Sequence, residues 1–134
     1  MGIQRYSASL DTTITNAYTS NLTTRGTGSN MGSADVLEVF TIYGQESTSS
    51  SELSRILIQF PVNDITTDRN DGNVPASGSV NFFLRMYNTE HSQTLPKDFS
   101  LNISAIKRSW EEGYGLDMEG YTDITHNDVG ANWE

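Results

Sequence analysis

The chain contains no cysteine, which removes disulfide staples, thiolate nucleophiles and cysteine-ligated zinc together. Basic residues are scarce: eight Lys and Arg stand against seventeen Asp and Glu, a net charge of -9. That balance repels phosphate backbones and anionic lipid headgroups, so neither nucleic acid nor a membrane surface is expected as a partner. No apolar run approaches the roughly 20 residues needed to cross a bilayer. Met1 to Tyr6 has no apolar core of signal-peptide length, and Tyr6 stands where N-myristoylation needs a hydroxyl residue, so neither a secretion signal nor a lipid anchor is expected. Sustained 3.6-residue apolar stripes are missing as well, which argues against an α-helical or α/β fold.

What is present is a series of short, strand-like runs. The strongest is Ser54 to Val62, where Ile56, Ile58 and Phe60 fall on one face of a period-two pattern and Arg55, Leu57 and Gln59 on the other. Pro61 withdraws a backbone donor and ends the pairing, so this run reads as a central strand. Ile3 to Leu10 and the β-branched run Thr12 to Ala17 read as two further strands, and so does Asp35 to Tyr43. Val80, Phe82, Leu84 and Met86 alternate with Phe83, Arg85 and Tyr87, while Phe99, Leu101, Ile103 and Ala105 alternate with polar residues. Short strands separated by turn signals predict an all-β fold, an antiparallel sandwich or barrel, as a single domain over residues 1–134.

Between the strands lie loops of distinct composition. Residues 18–33 are rich in Thr, Ser and Asn, with Gly26, Gly28 and Gly32 available for positive φ; a loop of that length is functional or awaits a partner. Residues 45–51 form a polar low-complexity tract expected at a hairpin tip. The connection Asn63 to Asn73 reads as turns: counted from Asp68, Gly72 is fifth and Ser79 twelfth, which does not fit a calcium-binding EF-hand. The stretch Trp110 to Asp123 gathers carboxylates, glycines and aromatics. Trp110, Tyr114 and Tyr121 are candidates for stacking a sugar ring or contacting a partner, and Asp117, Glu119 and Asp123 for holding Ca²⁺ through oxygen ligands. The plainer alternative is that these aromatics plug the end of a sandwich.

Catalysis is not expected. His91 and His126 lie in polar stretches with no Gly-x-Ser-x-Gly elbow nearby. Glu111 and Glu112 are adjacent, so on a strand they point to opposite faces and cannot flank one glycosidic bond. No Walker loop or dinucleotide fingerprint occurs.

The order Asp11 to Ile14, a Gly/Asn loop, Leu37 to Val39, Ser54 to Phe60, Leu84 and Tyr87, then Trp110 to Gly113 resembles the DNRLRE domain. Gln59 and Pro61 depart from that family's pattern of Arg-apolar-Leu-apolar-Arg-Phe-Asp. Asn21 to Gly26, Ser54 to Phe60 and Gly115 to Glu119 together resemble structural proteins of marine tailed bacteriophages. The resemblance covers most of the chain and implies a jelly-roll β-sandwich similar to carbohydrate-binding modules. It further implies that strands continue past Asn132-Trp133, either in a longer protein, the preferred reading, or by completion from another chain. Two functions are therefore expected. The first is a non-catalytic virion component (capsid decoration, neck, tail or fibre) contacting other virion proteins or its own copies in a many-copy lattice. The second is a module that attaches to cell-surface polysaccharide.

Overall fold

The computed structural model describes residues 2–44, 46–90, 92, 97–116 and 129–134. Its regular elements are β1 (Leu10–Thr15), β2 (Thr41–Tyr43), β3 (Ser51–Gln59) and one short helix, α1 (Val62–Asn70), followed by a 3-10 turn at Ser77–Ser79. The three strands form one antiparallel sheet in the order β1-β3-β2. Strand therefore outweighs helix, as the β-rich sequence requires, and β3 is the central strand. Pairing stops at Gln59, just short of Pro61.

The sheet is covered in an unusual way. Thr12, Thr13, Ile14 and Thr15 of β1 are all buried, yet the cover is irregular backbone rather than a second apolar sheet. The threonine hydroxyls make this possible. Thr12 Oγ1 accepts the Met31 N–H at 3.2 Å, Thr13 Oγ1 accepts the Glu38 N–H at 3.0 Å, and Thr15 Oγ1 donates to the Leu53 carbonyl at 2.8 Å. Each short β-branched side chain favours the strand; Thr12 and Thr13 also satisfy N–H groups that have no ladder partner, while Thr15 adds a second bond to the Leu53 carbonyl, which also accepts Asn16 N at 3.1 Å.

The same chemistry shortens the next strand. Asp35 to Tyr43 was expected to pair throughout, but only Thr41 to Tyr43 do so. Upstream of them the Ser54 side chain stands in for the ladder: Ser54 Oγ donates to the Glu38 carbonyl at 2.9 Å and accepts the Phe40 N–H at 2.7 Å. The β2-β3 connection is closed by Ser50, whose Oγ donates to the Ser47 carbonyl at 3.0 Å and accepts the Glu46 N–H at 3.2 Å. The polar tract is a hairpin tip, as its composition predicts.

Three other expectations need correction. Residues 63–70 are helical rather than a run of turns. Pro61 starts the helix, its carbonyl accepting from Asp64 N and Ile65 N, and Asp64 and Arg69 lie at the ends where their charges suit the helix dipole. Gly72, at φ +78, ends it as a Schellman motif, with Asn73 N donating to Asp68 O at 2.8 Å and Gly72 N to Arg69 O at 3.2 Å. No residue of α1 is buried, so it carries no apolar stripe to read. Second, residues 80–87 and 99–106 form no strand: Phe82, Phe83, Leu84, Met86, Tyr87, Phe99, Leu101, Ile103 and Ile106 are all exposed. Among the described residues no second layer lies against them. Third, Gly26, Gly28 and Gly32 do not take positive φ; within that loop Leu22 does, at φ 54.

Ile3 to Ser9 also lies outside the sheet. This tail is held to α1 by Asp68, whose Oδ2 accepts Tyr6 Oη at 2.6 Å and Gln4 Nε2 at 3.3 Å. The hydrogen bond to Asp68 is the main cause that raises the Tyr6 phenol to about 12, and the same bond is the first cause that lowers the Asp68 carboxyl. Tyr6 thus contributes stability that is intact below pH 10 and is lost as pH rises through about 12. Asp68 contributes stability present above the ordinary carboxylate range and lost as pH falls through its depressed value. Phenolate absorbance should show one late-titrating tyrosine that Tyr6→Phe removes. A titration unchanged by that substitution would contradict the contact.

Among the described residues no helix is long and apolar enough to cross a membrane.

Candidate functional site

The loop at residues 16–34 meets the carboxyl-terminal segments 111–115 and 129–134 in a polar junction, and Asn30 is its centre. Asn30 is fully buried. Its Nδ2 donates to the Glu112 carbonyl at 2.8 Å and to the Ala131 carbonyl at 2.7 Å. Its Oδ1 accepts the Gly32 N–H at 2.9 Å and the Gly115 N–H at 3.3 Å. A carboxamide offers two donors and two acceptor lone pairs, and here all four are used on backbone.

Glycine is required where chains cross so closely. A Cβ on Gly32 would overlap the Glu112 carbonyl, and one on Gly113 would overlap the Asn30 carboxamide. Gly113 and Gly130 also take φ of +86 and +110, a region open to glycine and closed to most side chains. A Cβ on Gly130 would come 2.7 Å from Gly113 Cα.

Further bonds extend the junction on both sides. Ser33 N donates to Gly115 O at 2.8 Å, Ala131 N to Glu111 O at 2.7 Å and Trp133 N to Thr27 O at 2.9 Å. Arg55 of β3 stacks its guanidinium 4.0 Å over the Trp133 ring, a cation-π contact of order 1 kcal/mol. Glu112 Oε1 accepts the Asp11 N–H at 2.7 Å, tying the segment to β1. Burial, and then the neighbouring Glu112 charge, push the Asp11 carboxyl above its ordinary value. Ionised Asp11 therefore weakens the fold as pH rises past the usual carboxylate range.

A second polar cluster holds the other end of the loop. Tyr18 and Arg25 form an antiparallel bridge, and the turn between them is built on Asn21, whose Oδ1 accepts Thr23 N at 2.8 Å and Thr24 N at 3.0 Å. Arg25 Nη1 donates to Asn16 O at 2.7 Å and Ser51 O at 3.1 Å, with its guanidinium 4.2 Å from the Tyr18 ring. Buried Glu52 accepts the Tyr18 N–H at 2.9 Å. The loop that looked long and free in the sequence is thus fastened along its length. Among the described residues no buried side-chain polar atom lacks a hydrogen-bond partner.

Of the sugar- or partner-contact candidates, Trp110 is half-buried and Tyr114 is 67% exposed, on a backbone held by the Asn30 junction. Tyr121 lies outside the described residues, and so do the proposed Ca²⁺ ligands Asp117, Glu119 and Asp123 and both histidines, His91 and His126. Glu111 and Glu112 differ in setting as expected of neighbours in extended chain: Glu111 is exposed, Glu112 half-buried on Asp11. Sequence reasoning gave Asn30 no role, weighed Glu112 only as half of a glycosidase pair and met Trp133 only in the Asn132-Trp133 end of the resemblance. The available signal was the scatter of isolated glycines at 32, 113 and 130, which marks close backbone approach.

No family model, curated protein or solved structure matches this chain.

Asn30→Leu, close to the same size, should lower stability by about 3 kcal/mol, because four backbone groups, one buried and three half-buried, lose their partner. Denaturant unfolding measures the loss, and proteolysis should cut first within residues 111–116. A variant as stable as the parent would show that the junction carries little of the fold.

Proposed function

We propose that this chain is a non-catalytic structural protein of a bacteriophage virion, a capsid decoration, neck, tail or fibre component acting through protein-protein contacts. In this reading the fold is a jelly-roll sandwich, and the protein resides in particles assembled in the host cytoplasm. The observation that carries the reading is the ratio of buried to exposed apolar side chains. The buried apolar residues are Ile14, Ala17, Met31 and Val74 alone among the described residues, whereas sixteen large apolar side chains are exposed, nine of them between Phe82 and Ile106. A surface apolar to that degree is a contact surface, since isolated soluble chains seldom leave such patches in water. The alternation of Val80 to Tyr87 supplies the pattern of a strand without its layer. The resemblance to phage structural proteins points the same way.

A glycan-binding module is the second reading, and Tyr114 favours it: an exposed ring on a rigidly held backbone suits sugar stacking. Ca²⁺ held by Asp117, Glu119 and Asp123 is compatible with either role.

Gold-labelled antibody on purified particles, with sedimentation of the isolated protein, separates the two. Many copies per particle and a concentration-dependent mass are expected. A protein absent from particles and monomeric at every concentration, yet retained by a polysaccharide array, would select the second reading.

A further inference from the structure

The open edge of the sheet and the exposed apolar arm are complementary in backbone pairing and in charge. Gly44 N donates to Ser50 O and Ser54 N to Phe40 O, so residues 40, 42 and 44 direct their backbone groups toward β3. In an antiparallel ladder the alternate residues then point the other way. Thr41 and Tyr43 thus present N–H and C=O groups outward, and among the described residues nothing pairs with them. An edge of this kind is a template for another strand. Tyr43 is 74% exposed beside it, and Val36 and Val39 are exposed as well.

Residues 80–87 hold the matching half. Val80 has extended backbone (φ -125, ψ 140), the residues after it alternate with period two, and none of residues 80–87 forms a backbone hydrogen bond among the described residues. Charge selects the occupant. Residues 80–109 carry Arg85, Lys97, Lys107 and Arg108 against Glu90 and Asp98, a net of +2. The remainder of the chain carries four basic and fifteen acidic residues, a net of -11. Around the open edge, residues 35–50 hold exposed Asp35, Glu38 and Glu46 and no basic residue at all. An apolar segment that carries Arg85 and no acid of its own, within a net-basic stretch, and an acidic, apolar sheet edge on the same chain fit one another between copies.

We propose that the arm at residues 80–87 of one copy adds as a strand to the open β2 edge of a second copy. This rests on the self-assembly reading above and names its contact. The joint is heterologous: each copy offers one arm and one edge, so repetition yields rings or filaments rather than a closed pair. Strand addition supplies main-chain hydrogen bonds for affinity, while the apolar side chains and the opposed charges set register and partner.

The absence of native cysteine gives a test free of background. Tyr43→Cys and Leu84→Cys are made separately at exposed positions, mixed, and treated with a short bis-maleimide; Thr41→Cys with Met86→Cys provides a second pair should either of the first fold poorly. The expected result is a cross-link between the two different variants in preference to either alone. Its yield should fall several-fold as salt rises from about 0.05 to about 0.5 M, where screening shortens the reach of the charges. Assembly of normal mass without these cross-links would overturn the proposed joint and leave self-assembly standing. A cross-link formed within one chain carrying both cysteines, at high dilution, would also overturn it, since the arm would then serve its own edge. Failure to associate at all would remove the underlying reading as well.

Discussion

The Asn30 carboxamide makes four hydrogen bonds to backbone, reaching Gly32 in its own loop, Glu112 and Gly115 in one distant segment and Ala131 in another. Its contacts to Glu112 and Ala131 span 82 and 101 residues of sequence. Closing loops of that length costs several kcal/mol of chain entropy before any contact offsets it. One fully satisfied buried side chain is what these segments converge on, and glycine at 32, 113 and 130 is what lets them come close enough. Glu112 on Asp11, Trp133 under Arg55 and Tyr114 facing solvent all have their places because this junction holds.

The energetics follow from what lies inside. Among the described residues Thr12, Thr13, Thr15, Ser29, Asn30, Ser50 and Glu52 are buried, against four apolar side chains. Hydrogen bonds of this kind contribute about 1 kcal/mol each on balance, whereas ordering a residue's backbone costs 1–2 kcal/mol or so. A chain of this length ordinarily relies on a sizeable apolar core. Here the apolar side chains that would make one stand exposed on residues 82–106. Polar contacts specify the shape of the single chain; in the assembly proposed above, burial of the arm against a neighbour would supply the apolar driving force.

That division explains which parts were legible in the sequence. β3 was plain because Ile56, Leu57 and Ile58 are β-branched or bulky and flanked by turn signals. The arm was equally plain as alternation, but alternation reports that one face will be buried and is silent on which chain buries it. Helix α1 was hidden because no face of it is buried and Thr66-Thr67 favours strand locally; only Pro61 and Gly72, at its ends, mark it. The junction was the least legible part. An asparagine in a polar loop reads as a turn residue, and nothing local to Asn30 points to partners so far along the chain.

Hydrogen exchange on dilute single chains and on the assembled protein tests the central claim most directly. The Gly32 and Gly115 amides, bound to Asn30 Oδ1, should be protected in both states. The amides of residues 80–87 should exchange freely in the single chain and become protected only on assembly. Protection of 80–87 already in the dilute chain, or free exchange at Gly32 and Gly115, would contradict the account.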